Sequence, residues 1–184
     1  LGWRDRVRIW SPVDEDYFRE VSTPLMAVLY AGVTAADNLL RALLAVRPTE
    51  LRPGAAEAIY QEHFQRLTAR VERVSRAAPS IPGLLSEVMT GRLFGLASVL
   101  ETAAVALASA RGEASVPTVL LAGEIYLRCD PAANGRVIDK LEERGLRVQL
   151  APFHEWLEYC EALRWRTGTA GGLSDRLSHW VQHR

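Results

Sequence analysis

Apolar residues recur at helical spacing through the first two-thirds of the chain. Residues 21–46 begin with a capping Ser22 or Thr23 and a first-turn Pro24, and they continue as an amphipathic pattern. The following residues, RPTELRPG, end this helix because their prolines cannot continue it. The stripe that we predict to face the core is Leu25, Leu29, Val33, Ala36, Leu40, Leu43 and Leu44.

Two more helices are predicted in the same part of the chain. Residues 84–110 predict a helix with an interruption near Gly91 or Gly95, because glycine weakens a helix interior. Residues 55–76 have one charged face and an opposite stripe, formed by Ile59, His63, Leu67, Val71 and Val74.

The period of the pattern changes after Pro117. TVLLAG is typical of a short buried parallel strand, and LRVQLAP predicts a second one. Between them, residues 130–145 predict a complete helix with Asp130 as its cap, Pro131 at its first position and Gly145 at its end. FHEWLEYCEALRW predicts a further helix, RTGTAGG a loop, and the last residues a helix or a fraying end. VRIW, near the start, predicts another strand.

This order of elements predicts an α/β fold that is helix-rich, with a small parallel Rossmann-like sheet, flanking helices and a three-layer tendency. We divide the chain into a helical region 1–115 that packs on the sheet, a β-α-β-α unit 116–166, and a loop and helix 167–184. Together they are expected to form one compact domain. The chain begins with Leu1 rather than methionine, which indicates a domain cut from a longer chain.

Composition and charge narrow the classes of function. The chain has 22 basic and 22 acidic residues, so it lacks the electrostatic footprint of a protein that binds nucleic acid or an anionic membrane. Its most apolar stretch is broken by Glu101, and no signal-peptide pattern opens the chain, so we predict no membrane span. Two cysteines are too few for a disulfide scaffold and fit a reducing cytoplasm.

The main candidate site is AGEIYLRCDPAANG, because ligands of open parallel sheets bind beyond the carboxyl ends of the strands. In an extended loop, Glu124, Tyr126 and Arg128 would share the ligand-facing side, and the residues between them would point inward. Asp130 and Asn134 would organise the loop and the start of the next helix. A purely structural interpretation is the alternative: Glu124 pairs with Arg128, Tyr126 packs, and Asp130 only caps.

The cysteines and histidines give weaker signals. Cys129 precedes a predicted helix N-terminus, but no histidine base is near it in sequence, and two thiols are too few for most iron–sulfur clusters. We therefore interpret Cys129 and Cys160 as ordinary thiols and predict no metal site, with Cys129 as the alternative ligand. No histidine completes a metal or Ser-His-Asp pattern: His63, His154, His179 and His183.

Two segments together resemble the proteins related to 2-hydroxyacyl-CoA dehydratase activases. Residues 122–159 are similar to a family pattern of G-E-x-Y-x-R-x-D-P-x-x-N, then L-E-x-x-G, then P-x-x-E-W, which includes Glu124, Tyr126, Arg128, Asp130, Asn134, Glu142, Gly145, Pro152, Glu155 and Trp156. Residues 34–60 are similar to an upstream family motif that contains R-P-Y-E, matched here by Asp37, Arg47, Pro48, Glu50, Gly54 and Tyr60.

The resemblance implies a lobe similar to the D-component of the 2-hydroxyacyl-CoA dehydratases and benzoyl-CoA reductases. Those Rossmann-like lobes hold iron–sulfur clusters that receive electrons from an ATP-hydrolysing activase. This chain departs from the pattern, since Thr49 replaces the tyrosine of R-P-Y-E, the ATPase signatures are missing, and APFHEWLEY has no cluster cysteine. The chain is therefore expected to hold no cofactor itself, while the cluster and ATP belong to its parent system.

The leading hypothesis is a non-catalytic lobe that forms a wall of a cluster or substrate cleft, lined by Glu124, Tyr126 and Arg128. Its expected partners are neighbouring lobes or an ATPase activase domain, together with an acyl-CoA. One alternative is a stand-alone binder of an anionic ligand such as a CoA ester or nucleotide. The other is a redox enzyme subunit that carries a cluster through Cys129.

Overall fold

The computed structural model describes residues 21–166. The predicted strand VRIW, the loop RTGTAGG and the last helix, which carries His179 and His183, lie outside the described residues. Within them, a helical part precedes a small α/β unit, so the chain is a helix-rich α/β protein, as predicted.

Four helices form the first part: α1 (Thr23–Val46), α2 (Ala55–Arg76), α3 (Ile81–Thr90) and α4 (Leu96–Ala110). Short 3-10 turns at Arg47–Thr49 and Leu93–Gly95 separate α1 from α2 and α3 from α4. The predicted bounds of α2 are confirmed. The predicted interruption is confirmed as well, because Gly91 and Gly95 have φ values of 67° and 82°, which a continuous helix does not allow.

The core lies between α1, α2 and α4. Its largest cluster joins all three helices through Leu39, Leu43, Val46, Ala56, Ala103, Leu107 and Ala110. A second cluster joins Ala35, Leu67 and Leu96, and a third joins Val28, Leu84 and Phe94.

The predicted inward stripe of α1 is wrong by one residue over much of its length. The buried positions are Val28, Gly32, Ala35 and Leu39, each one residue before a predicted position, and Leu29 is 40% exposed. α1 is apolar on almost every side, so its pattern does not fix its rotation about its axis. At Gly32 a Cβ would lie 3.0 Å from a Val71 methyl group, a tight contact that glycine avoids where α2 packs on α1.

Two helical stretches are long and apolar enough to cross a membrane, Thr23–Thr49 and Leu93–Ala110. The sequence predicted no membrane span, and the second stretch contains the apolar run that Glu101 interrupts. The core helix of a globular protein meets the same criterion of length and composition, and both stretches contribute buried leucines to the core described above. The cellular location remains a prediction.

The α/β unit contains β1 (Thr118–Leu121), α5 (Ile125–Cys129), α6 (Val137–Glu142), β2 (Arg147–Leu150) and α7 (His154–Arg166). β1 and β2 pair in parallel, with Leu121 opposite Leu150. Val148 is buried on the face towards α1. The prediction of fully buried strands is wrong for the other face, where Leu120 is 66% exposed.

Candidate functional site

The loops that follow β1 and β2 lie at the same edge of the sheet. Ala151 N donates to Leu121 O over 3.0 Å, so the chain leaves both strands side by side. Arg128 then joins the two loops, because its Nη2 donates to Pro152 O over 3.1 Å. We call the residues 122–130 and 151–158 the C-terminal edge, which is where a parallel sheet binds ligands.

The stretch after β1 is helical and not extended as predicted. Glu124 caps α5, since its Oε2 accepts from Leu127 N over 2.9 Å, and this cap supplies the local reason for the turn. Hydrogen bonds from the Leu127, Tyr126 and Ile125 amides, together with the charge of Arg128, hold the pKa of Glu124 below its usual value.

The helical turn changes which side chains reach solvent. Tyr126 is 64% exposed and Leu127 is 53% exposed, so the prediction that Leu127 points inward is wrong. Among the described residues Arg128 bonds Pro152 and does not form the predicted salt bridge with Glu124. Tyr126 does not pack inward either, and its hydroxyl contributes to lowering the pKa of Asp130.

Asp130 and Asn134 organise the loop as predicted, although not by starting a long helix. Asp130 Oδ1 accepts from Ala132 N over 2.8 Å and from Ala133 N over 3.3 Å, and these bonds lower the pKa of Asp130. Asn134 donates to Arg128 O and accepts from Val137 N. Residues 131–136 are turns and the helix begins only at Val137, so the predicted helix from Pro131 is wrong.

The late start of α6 has a conformational cause. Gly135 and Arg136 have φ values of 64° and 58°, which interrupt any helix that begins at Pro131. The arginine is held in this conformation beside Asp139, which accepts from its Nε over 2.7 Å.

A histidine–carboxylate pair at the C-terminal edge was missed by the sequence analysis. Asp37 Oδ2 accepts from the backbone N of His154 over 2.8 Å and lies 2.8 Å from its Nδ1. Both side chains are largely buried, with 14% of Asp37 and 22% of His154 exposed. The Asp37 carboxylate therefore supplies the cap that α7 lacks in its own sequence.

This pair also fixes the chemistry of the imidazole. A neutral ring that donates to Asp37 carries its proton on Nδ1, which leaves Nε2 as a hydrogen-bond acceptor. No described residue bonds Nε2, and this nitrogen is not one of the buried polar atoms without a partner. The arrangement can accept a proton or a hydrogen bond from a hydroxyl or thiol group.

The charges around this edge are mostly negative. Arg128 lies in the edge with the carboxylates Glu124, Asp130, Glu155 and Glu158, and Asp37 of α1 lies beside them. The edge therefore carries more carboxylates than cations.

The cysteines do not come together with other metal ligands in the part of the chain that the structure describes. Cys129 is exposed at the end of α5, and Cys160 is half-buried in α7. Within residues 21–166 there is no group of three or more His, Cys, Asp or Glu residues that could hold a metal ion. His63 is buried, and its Nδ1 lies 2.8 Å from Ile59 O in α2.

The upstream motif residues fasten the helical part to the α/β unit. Arg47 Nε donates to Glu142 Oε2 over 2.8 Å, and its Nη1 donates to Glu57 over 3.1 Å. Burial lowers the pKa of Arg47, but these two carboxylates outweigh it and raise that pKa. Burial raises the pKa of Glu142, with Asp139 and Glu57 adding to the effect and Arg47 opposing it.

The remaining motif residues shape the start of α2. Glu50 accepts from Gly54 N and Ala56 N over 2.7 and 2.8 Å, so it caps the helix across the turn that Pro48 opens. Gly54 has a φ of 83°, a left-handed conformation that glycine adopts more easily than other residues. Tyr60 stacks on Phe64 with ring centroids 5.6 Å apart, and burial raises the pKa of its hydroxyl.

No protein-family model, curated protein or solved structure matches this chain.

Proposed function

We propose that this chain is a non-catalytic, Rossmann-like lobe of an acyl-CoA dehydratase/reductase or of an activase-related iron–sulfur protein. Its C-terminal edge would form one wall of a substrate or cluster cleft. The observation that carries the proposal is that the two segments of the resemblance contact each other, once between two motif residues and once between a motif residue and a variable position of the pattern, His154. Asp37 meets His154, and Arg47 meets Glu142, from positions 117 and 95 residues apart.

These contacts separate the motif residues into two roles. Asp37, Arg47, Glu50 and Asn134 bond other parts of the chain, so their roles are structural. Glu124 and Tyr126 remain at the surface of the edge. Some motif residues hold the backbone in place, and others are exposed polar groups at the strand ends. This combination supports a binding surface, because side chains that contact a ligand must be held rigidly by the residues behind them.

The charge of the edge supports one kind of ligand contact. Its carboxylates disfavour the phosphates of CoA or of a nucleotide, which weighs against a stand-alone binder of anionic ligands. A neutral acyl-pantetheine arm carries amides, a hydroxyl and a thioester, which can bond Arg128 and the Nε2 of His154. The wall would therefore face the acyl end of the substrate.

One face of the two-stranded sheet is exposed and could be covered by a partner. Leu120 and Gln149 lie side by side on the face away from α1. Parallel sheets are normally covered on both faces. The three-layer Rossmann-like arrangement would be completed by a neighbouring lobe or an ATPase activase domain, in the cytoplasm.

The ligand test compares the two ends of CoA by NMR on the 15N-labelled chain. S-acetylpantetheine should shift backbone amides of residues 123–130 and 152–156, whereas adenosine 3′,5′-bisphosphate should not. Arg128→Ala should remove the shifts, and Arg66→Ala, which alters an exposed arginine on α2, should keep them. Shifts caused only by the bisphosphate would favour the anion binder, and no shift with either probe would contradict the cleft wall.

A second test separates the lobe from a cluster-carrying subunit. Iron and acid-labile sulfide would be measured on protein purified without oxygen, with Cys129→Ala as the control. The proposal predicts no stoichiometric iron in either protein. Stoichiometric iron that disappears in Cys129→Ala would replace the proposal by the redox alternative.

A further inference from the structure

α7 turns aromatic residues towards solvent. Trp156, Tyr159 and Leu163 are 41%, 63% and 46% exposed, and their spacing places them on one side of the helix. Towards α1, the same helix uses polar contacts, from Tyr30 to Glu158 and from Asp37 to His154.

A surface helix normally turns its apolar residues towards the core. Among the side chains of α7 that the structure describes, Leu157 and Cys160 are half-buried, whereas the three residues above are exposed. Contiguous apolar surface on the outside of a soluble protein marks an interaction site. Tryptophan and tyrosine are also the residues that contribute most to protein interfaces. The outward side of α7 therefore has the composition of a contact surface.

The charges on this side select the orientation of a partner helix. Glu155 lies near the N-terminal end of α7 and Arg166 at its C-terminal end, and both are exposed. An antiparallel copy of α7 brings each Glu155 opposite Arg166 of the second copy, whereas a parallel copy sets like charges together. The antiparallel arrangement also places Trp156 beside the turn that carries Leu163 of the second copy, with Tyr159 near the axis.

We propose that the outward side of α7 is a two-fold contact between two copies of this chain. A two-fold axis repeats every favourable contact twice, which is why self-complementary patches form dimers. α7 has 13 residues, so a helix pair is about 20 Å long and buries less than the roughly 800 Å² per partner of a standard interface. The dimer is therefore reversible, with a dissociation constant on the order of tens of micromolar. This inference does not rest on the proposed function.

Sedimentation equilibrium of the full chain tests the contact. Between about 2 and 500 µM we expect a monomer–dimer equilibrium. Trp156→Ala should raise the dissociation constant at least about tenfold, because it removes the largest aromatic side chain of the contact from both copies. Val105→Ala, which shortens an apolar residue that is 73% exposed on α4, should leave it unchanged.

A chain that remains monomeric over this range would overturn the proposal. A dimer that Trp156→Ala leaves intact would overturn it too, because the contact would then lie elsewhere.

Exchanging the charges tests the antiparallel register. Glu155→Arg and Arg166→Glu should each weaken the dimer about threefold or more, and the double variant should restore most of the affinity. High salt should reduce these differences. Circular dichroism checks that the variants keep their helices. If the double variant keeps its helix and dimerises no better than the single variants, the register is wrong.

Discussion

A single carboxylate oxygen, Oδ2 of Asp37, bonds both the backbone N and the imidazole Nδ1 of His154, at 2.8 Å each. The residue on α1 therefore caps α7 and orients its first side chain. Arg128 fixes the same loop two residues earlier, at Pro152 O. The C-terminal edge is thus held by contacts from α1 and from the loop after β1.

Replacing Asp37 by alanine should detach the start of α7. The variant loses one helix cap and one hydrogen bond to a largely buried side chain, so unfolding in urea should require about 1–3 kcal/mol less free energy. Hydrogen exchange should quicken at the first amides of α7. Asn38→Ala is the control, since this neighbour bonds only Thr34 O in its own helix. Equal losses in the two variants would refute the role of the pair.

Replacing Arg47 by methionine should be among the most damaging single changes. It leaves Glu142, whose side chain is 12% exposed, without its partner beside Glu57 and Asp139. We expect a loss of about 2–4 kcal/mol at neutral pH by chemical denaturation. Arg47→Met combined with Glu142→Met should recover most of it, because an apolar pair needs no counter-charge.

The matched control for Arg47 is Arg66→Met, which removes an exposed pair between neighbouring turns of α2. Its effect should stay within about 0.5 kcal/mol. If the double variant, Arg47→Met with Glu142→Met, is no more stable than Arg47→Met alone, then the lost stability does not come from the unpaired Glu142 carboxylate.

The pKa of Glu142 should be shifted in the opposite direction from the pKa values of Glu124 and Asp130. Carbon-13 NMR should find the pKa of Glu142 above 4.5 because of burial. It should find the pKa of Glu124 below 4.5 and that of Asp130 below 3.8, because backbone amides donate to both. A Glu142 titration at or below 4.5 would contradict the assignment.

The direction of the Glu142 shift has a consequence for stability. A carboxyl whose pKa is higher in the folded state stabilises the fold below its unfolded pKa, and this contribution is lost as the pH rises through the folded pKa. Glu142→Gln should therefore gain stability relative to the unsubstituted chain as the pH rises from about 4 to 7. Unfolding curves at several pH values measure that difference.

Two glycines of similar backbone conformation should respond differently to alanine. Gly54 has a φ of 83° and open space where a Cβ would lie, so Gly54→Ala should cost about 1 kcal/mol of backbone strain. At Gly95 the Cβ would lie 2.6 Å from Arg70 Nη2, and Arg70 Nε bonds Phe94 O. Gly95→Ala should therefore cost at least about 1 kcal/mol more in thermal or urea unfolding. Similar losses would show that Arg70 moves aside freely.

The correct predictions came from residue patterns that lie within a single helix, strand or turn. α2 has a charged side and an apolar side, so its bounds and its inward residues followed from the pattern. The two strands stood between turn residues and a helix, and their parallel pairing followed from the crossover between them. The glycine break between α3 and α4 was equally local.

The failures came where several local patterns fit the same residues. α1 is apolar on nearly all sides, and its buried stripe is selected by packing against the other helices, including the close approach of Val71 to Gly32. Glu124 fits an extended loop and a helix cap equally well, and the cap prevailed. The pair of Asp37 and His154 has no local signature at all, because the partners meet only after the chain has folded back over 117 residues.

The connector at residues 111–117 is mostly exposed, and it is the covalent link between the helical part and the α/β unit. The same two parts also meet through Asp37 and His154, through Arg47 and Glu142, and where α1 packs on β2. The covalent connection is therefore only one of several links between the two parts, and the others are non-covalent contacts. We therefore expect the halves to stay associated after a protease nick between Glu113 and Ser115.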